Sequence, residues 1–320
     1  MARGIMPAGG FLVLGRAGLD LYADPPGTRV DVAAAFSAAL GGSAANIAAG
    51  IARLGGSASL LTCISDDAVG RFTTLELQRY NVGTTHVRLA RGEARTSLAV
   101  VATRNDDTQS VIYRNDAADF RLSEEQVRSV DFFAVGALIV TGTALAVEPS
   151  RSATFLAMEL AREAGRTVII DIDYRPYSWA DAKEAAAINL KAAQLSDIVV
   201  GNDVEFAVIA GGNGLKHAEE LSREGRTVVY KMGEKGSVTF AGGQSFSTGI
   251  FEVEALKPTG AGDAFMAGFA TGLAAGLELQ ACVLRGSAAA AIVVTRVGCA
   301  PAMPRSDELD AFMASHYVSV

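Results

Sequence analysis

Short apolar runs closed by glycine or turn residues alternate along this chain with longer stretches of small apolar residues at helical spacing. Phe11–Gly15 reads as a buried strand, Ser43–Leu54 as a small-residue helix, Ser59–Ser65 as a second strand and Ala68–Tyr80 as a second helix. Val82–Val87 leads on to two strand signals, Arg95–Arg104 and Gln109–Arg114, parted by Asn105, Asp106 and Asp107 in a hairpin pattern. From Asp131 the order becomes strand–helix–strand: apolar Phe132–Val135 and Leu138–Thr141, a helix over Ser150–Ala164, and strands over Arg166–Ile172, Ile198–Gly201 and Thr227–Lys231. Phe246–Val253 then leads to small-residue helices over Ala264–Leu277 and Ser287–Val294. Such alternation predicts right-handed βαβ units on a mainly parallel sheet covered by helices, an α/β fold. Leu21–Ala39 has a poor helix signal and carries Pro25-Pro26-Gly27. Residues 21–40 are therefore read as the first part of a small sheet or lid and residues 95–116 as a hairpin, in one domain spanning 1–320, since no repeat, low-complexity tract or linker divides the chain.

Composition narrows the partners. A chain of 320 residues that is 50% hydrophobic can bury a large core. Its net charge of −7 and lack of a basic block argue against nucleic acid. Cys63, Cys282 and Cys299 have no metal-ligand spacing and apolar neighbours, the pattern of reduced, buried thiols in a cytoplasmic protein. His86, His217 and His316 are scattered and form neither a metal cluster nor a triad. Phe11–Leu14 is too short for a signal-peptide core, and no apolar stretch has membrane-spanning length, so neither secretion nor a membrane is expected.

Two glycine-rich stretches carry the candidate chemistry. Gly260-Ala261-Gly262-Asp263 runs into the Ala264–Leu277 helix. Such a turn aims free N–H groups and the positive end of a helix dipole at one point, suited to a phosphate. The same field would keep Asp263 ionised and able to accept a proton. A tight turn with a helix cap would need the same residues. Upstream, Gly41-Gly42 brings the backbone close to a neighbour, and Asn46 offers donors and acceptors to a polyol. Asp20 follows the first strand, where open α/β sheets bind ligands, although a turn acid paired with Arg16 fits locally as well. Asn202 and Glu205 share a helix face, as metal-water ligands or as a plain cap. There is no G-x-x-x-x-G-K-[ST], which excludes a P-loop kinase.

The pair Gly260–Asp263 and Gly41-Gly42-Ser43-Ala44-Ala45-Asn46 resembles, in order and spacing, the two signatures of the ribokinase-like (PfkB) carbohydrate kinases, and the resemblance covers essentially the whole chain. It implies a three-layer αβα domain with a mainly parallel central sheet and a small β-sheet lid. It also implies transfer of the ATP γ-phosphoryl group to a sugar hydroxyl. Asp263 would be the base, and the N–H groups of Gly260, Ala261 and Gly262 would hold the phosphoryl. Asp20, Gly41, Gly42 and Asn46 would bind the sugar. Asn202 and Glu205, resembling N-x-x-E, would order the waters of Mg²⁺. Lys231, Gly233 and Gly236, a K-x-G-x-x-G turn, would lie along the nucleotide, and the loop at Gly298 would close over adenine. Asp66–Gly70 resembles G-x-D-x-x-G without its first glycine. Asp171-Ile172-Asp173-Tyr174-Arg175 resembles D-x-N-x-R with Asp173 in place of Asn.

One departure stands out. Lys257 occupies a position where the family commonly has an acid, so the usual monovalent-cation site is in doubt, and an ammonium would take over part of that role. Lys257-Pro258, Gly15-Arg16 with Asp20-Leu21, and Tyr113-Arg114-Asn115 resemble one branch of the family. That branch phosphorylates 2-deoxy-5-keto-D-gluconate at its C6 hydroxyl in myo-inositol catabolism. An acid sugar needs a cation, and Arg16, Arg95, Arg114 and Arg175 are the candidates. Kinases of 2-keto-3-deoxygluconate, fructose or ribose, and a non-catalytic sugar sensor, are the alternatives. The resemblance further allows a homodimer formed through the lid.

Overall fold

The computed structural model describes residues 9–103 and 110–319. Its strands are β1 (Phe11–Leu14), β2 (Gly18–Asp24), β3 (Ala35–Gly41), β4 (Ala58–Ser65), β5 (Val87–Ala90), β6 (Ser97–Val101), β7 (Ser110–Tyr113), β8 (Ala137–Thr141), β9 (Thr167–Asp171), β10 (Ile198–Asn202), β11 (Thr227–Lys231), β12 (Ser237–Ala241) and β13 (Gln244–Thr248), with a short pair that joins Ile250–Phe251 to Val318–Ser319. The helices are α1 (Ser43–Arg53), α2 (Ala68–Arg79), α3 (Glu124–Arg128), α4 (Ser150–Glu163), α5 (Ala182–Leu195), α6 (Asp203–Ala210), α7 (Gly214–Arg223), α8 (Ala261–Ala274), α9 (Leu279–Val294) and α10 (Ser306–Ser315).

Nine strands form the large sheet in the order β13-β12-β11-β10-β9-β8-β1-β4-β5. Pairing is parallel from β11 through β5 and antiparallel at β11–β12 and β12–β13. Alternation along each strand sends neighbouring residues to opposite faces. Val13, Ile139, Ile169 and Val200 pack with α1, α8 and α9. Leu12, Leu14, Leu138, Val140, Ile170 and Val199 pack with α4 to α7. Two cores result, one on each side of the sheet: an α/β fold in three layers. Because the strands are covered on both faces, they read as continuous apolar runs.

The second sheet has the order β3-β2-β6-β7. β2–β3 and β6–β7 are antiparallel, whereas β2–β6 is parallel. The chain leaves the large sheet after Leu14 and enters the small one at Gly18, so Arg16 lies at the junction.

Local differences from the sequence pattern have plain causes. Phe132–Ala134 is a 3-10 turn, not a strand, and Asp131 caps it by accepting a hydrogen bond from the Phe133 N–H. α8 starts at Ala261 and so takes Asp263 into its first turn. α5, α7 and α10 leave little trace in the apolar pattern because one face of each is polar and exposed, and α6 is only eight residues long with Val204 on its exposed side. The turn at Asn105–Asp107 lies outside the described residues. Among the described residues no helix is long and apolar enough to cross a membrane.

Candidate active site

The carboxyl ends of β1, β8, β9, β10 and β11 share one edge of the large sheet, as parallel pairing requires. The start of α8 meets this edge. Gly260 is its N-cap in the left-handed region (φ 87°), and the N–H groups of Gly262 and Asp263 have no helical partner. The Ala261 N–H reaches back to the Pro258 carbonyl at 3.4 Å, so of the expected donors it is the one already engaged.

Asp263 is half-buried, and its Oδ2 accepts a 2.8 Å hydrogen bond from Asn46 Nδ2, which joins the two glycine motifs across the core. Burial pushes the Asp263 carboxyl up to about 7; the charge of Asp173 adds to this, while the Asn46 bond, Arg175 and Arg16 oppose it. The helix field alone would keep this acid fully ionised, as the sequence leads one to expect, but loss of water and a neighbouring acid outweigh that field.

Asp20 is buried on β2, and its Oδ2 accepts a bond from the Tyr22 hydroxyl at 3.0 Å. Its Oδ1 and Asn46 Oδ1 are buried acceptors without a protein partner. Gly41 makes room for the first: a Cβ there would stand 1.9 Å from Asp20 Oδ1. Gly42 (φ 96°) packs against the Arg16 carbonyl, where a Cβ would come within 2.4 Å. Burial raises the Asp20 pKa, and the charges of Arg16 and Lys257 and the Tyr22 bond oppose it.

The four arginines are placed differently. Arg16 is half-buried and donates to Ser97 Oγ at 3.3 Å. Arg175 pairs with Asp173 at 2.7 Å and lies 4.0 Å from Glu205, and Asp173 holds its pKa high. Arg114 is buried, paired with Asp119, donating to the Thr143 carbonyl at 3.1 Å and stacked 4.1 Å above the Phe120 ring. It borders a cleft of about 380 Å³ shared with Asn115, Arg121, Glu148 and Tyr177. The charges of Arg16, Arg175 and Arg114 all act on the Tyr177 phenol, whose pKa burial raises. Arg95 is exposed, with Glu93 at 2.9 Å and Asp67 at 3.8 Å, and lines a second cleft with Thr96, Tyr113 and Asn115.

On the far side, Asn202 and Glu205 form a capping box at the start of α6: Asn202 Oδ1 accepts from the Glu205 N–H at 2.9 Å, and Glu205 Oε2 from the Asn202 N–H at 2.8 Å. The Tyr174 N–H donates to Glu205 Oε1 at 3.2 Å. Burial raises the pKa of Glu205, with Lys231 opposing. Buried Asp171 is pushed up to about 8 by loss of water, against Lys231 and with Glu205, Asp173 and Asp263 adding to it. Lys231 lies 5.3 Å above the Phe265 ring, and its Nζ is 3.8 Å from where a Cβ on Gly262 would be. Gly233 and Gly236 belong to the turn closed by Met232 N–H to the Gly236 carbonyl at 2.8 Å. Gly298 leads into the 3-10 turn Ala300–Ala302. Among the described residues no group of three or more His, Cys, Asp or Glu could hold a metal directly.

Lys257 is 1% exposed and donates to the Thr259 carbonyl inside the turn before α8. Burial lowers its pKa, opposed by Cys299, Asp263 and Asp20. Tyr22 and Thr143 are not among the residues that the sequence pattern singles out. Thr143 donates to Asp173 Oδ2 at 3.2 Å, a contact between two strand ends that no local pattern announces. Tyr22 had a signal: it stands two residues after Asp20 on a strand, hence on the same face.

The family model described as pfkB family carbohydrate kinase matches residues 11–306. A 5-dehydro-2-deoxygluconokinase of Photobacterium profundum is 41% identical over 310 residues, covering 94% of each chain. A 5-dehydro-2-deoxygluconokinase 2 of Bacillus cereus is 37% identical over 312 residues, covering 95% of this chain and 94% of the other. Among solved structures, a double-mutant fructokinase of Vibrio cholerae with bound fructose, ADP and potassium superposes with a TM-score of 0.83 at 26% identity, covering 95% of this chain and 98% of the other.

Proposed function

The chain belongs to the pfkB family of carbohydrate kinases, and from that premise we propose that it moves the γ-phosphoryl group of ATP to the C6 hydroxyl of 2-deoxy-5-keto-D-gluconate, as a step of myo-inositol catabolism. One observation carries the site assignment: two buried, unpartnered acceptors, Asp20 Oδ1 and Asn46 Oδ1, accompany a half-buried acid at the start of a helix. Buried acceptors of this kind call for donors, and sugar hydroxyls supply them.

In this reading Asp263 takes the proton of the acceptor hydroxyl, while Asn46 fixes the carboxylate. The Gly262 N–H, the Gly260 turn and the dipole of α8 stabilise charge on the transferred phosphoryl. Asp20, Gly41, Gly42 and Asn46 hold the sugar. Its carboxylate, remote from C6, falls to the same four arginines, of which Arg95, Arg114 and Arg175 already pair with acids. Lys231, Gly233, Gly236 and Gly298 line the nucleotide, with Lys231 between it and the transfer point.

Glu205 fits Mg²⁺ through water: both of its oxygens already accept backbone N–H bonds, which leaves lone pairs for bound water. When bound, Mg²⁺ neutralises phosphate charge. The small sheet acts as a lid that excludes water, residues 1–320 act as one domain, and two copies pair through their lids. Three free, buried cysteines support a cytoplasmic setting.

The test is ADP release with Mg-ATP against 2-deoxy-5-keto-D-gluconate, 2-keto-3-deoxygluconate, fructose, ribose and adenosine. The expected outcome is a clear preference for the first. Preference for another sugar would overturn the substrate while keeping the kinase, and binding without turnover would favour a sensor.

A further inference from the structure

Tyr22 follows Asp20 by two residues on β2, so both side chains leave the inner face of the small sheet. The phenol is 2% exposed, and its oxygen lies 3.0 Å from Asp20 Oδ2 and 3.4 Å from Cys299 Sγ. A phenol has a single proton to give, and a carboxylate is a far better acceptor than sulfur. The proton therefore goes to Asp20. Burial pushes the Cys299 thiol up to about 12, so it keeps its own proton and can turn it to the phenolic oxygen.

The result is a directed chain from thiol to phenol to carboxylate. It occupies one oxygen of Asp20 and leaves the other, Oδ1, buried and unpartnered. At its opposite end Cys299 Sγ lies against Gly260, where a Cβ would stand 2.9 Å from the sulfur. The Tyr22 ring is packed with Ala39, Ala99 and Val101, backed by Ile112 and Val297. The hydroxyl therefore cannot leave Asp20 without opening the inner face of the small sheet.

From this geometry we propose that Tyr22 is a positioning residue for phosphoryl transfer, holding Asp20 so that one carboxylate oxygen faces an acceptor hydroxyl and keeping the small sheet in register with the Gly260 turn. The proposal rests on reading the Asp20 pocket as the acceptor site. It makes no use of proton transfer through the chain; the phenol orients and does not react.

Tyr22→Phe tests it, because the ring and its packing stay and only the hydroxyl goes. The acceptor KM, and the acceptor Kd measured by calorimetry without ATP, should both weaken by up to about tenfold, because the released carboxylate must be ordered when the acceptor binds. The KM for ATP should stay near its original value, and kcat should change far less than the acceptor KM. In an Asp20→Ala background the same substitution should cost little, since the group it positions is already gone. Unchanged acceptor affinity in Tyr22→Phe would overturn the proposal. So would an equal loss in both backgrounds, which would give the hydroxyl a role independent of Asp20, such as its contact with Cys299. If the substrate panel selects a different sugar, only the substrate assignment fails, and the Tyr22 cycle is read with that sugar.

Discussion

At Asp263 two influences oppose each other. The start of α8 favours the anion, while burial and Asp173 favour the acid, and the balance leaves the carboxyl near 7. A base must be deprotonated to work, so kcat/KM should rise with pH through about 7 and level off above it. Asp263→Asn should keep the fold and lower turnover by about 10²–10⁴-fold; near-normal turnover would remove Asp263 as the base. Stability should move the opposite way. Because the folded-state pKa is raised, the wild-type acid destabilises the fold increasingly as pH rises from the unfolded value of 3.8 to about 7. Asp263→Asn should therefore melt higher than wild type at pH 8, with the gain shrinking toward pH 4. Of the residues around it, Asn46 was legible from its glycine motif. Asp173 was visible only as a motif variant, because its effect on Asp263 exists solely in three dimensions.

The element that sets the chemistry is the turn Lys257–Gly262 together with α8. The helix is buried from Ala264 to Leu273, and Gly268 and Gly272 let α9 approach: a Cβ at Gly268 would stand 2.6 Å from the Arg285 carbonyl. That packing fixes where the N-terminus of α8 points. Lys257 adds a buried ammonium that holds the turn through the Thr259 carbonyl, on the same side of the charge balance as the helix dipole. Two positive sources with no paired carboxylate of their own are costly until an anion arrives, which suits a phosphoryl site. Replacing sodium by potassium in the assay should then leave turnover nearly unchanged. Strong activation by potassium would show that Lys257 does not supply the cation's field. The motif was plain in the sequence, but the direction of the Lys257 side chain was not, since the same residue could have reached solvent.

Across the whole molecule, the small sheet turns Asp20 and Tyr22 inward among Ala39, Ala99 and Val101, and its other face is apolar as well. Register places Ala38, Leu21, Val100 and Val111 in one row of that face and Leu40, Leu19, Leu98 and Tyr113 in another, buried at its Leu40 end. Val111 and Tyr113 are 48% and 58% exposed. A contiguous apolar sheet face is the kind of surface a second copy covers. Sedimentation should show a dimer, and Val100→Lys, a charge at the centre of the first row, should shift it to monomer. A monomeric wild type would refute pairing through this face.

The sequence by itself determined the fold class, because strands buried on both faces read as continuous apolar runs and their alternation with helices permits few topologies. It also marked the two glycine motifs, since close backbone approach and positive φ leave glycine as the residue that fits. Tertiary structure alone decided which charges meet. Asp263 and Asn46 are 217 positions apart and Tyr22 and Cys299 are 277 apart. Their hydrogen bonds depend on how two sheets and α8 converge, and the pKa of Asp263 depends on the water that convergence removes. Short-range pattern carries neither fact, because hydrogen bonds and desolvation act over ångströms in space and are indifferent to distance along the chain.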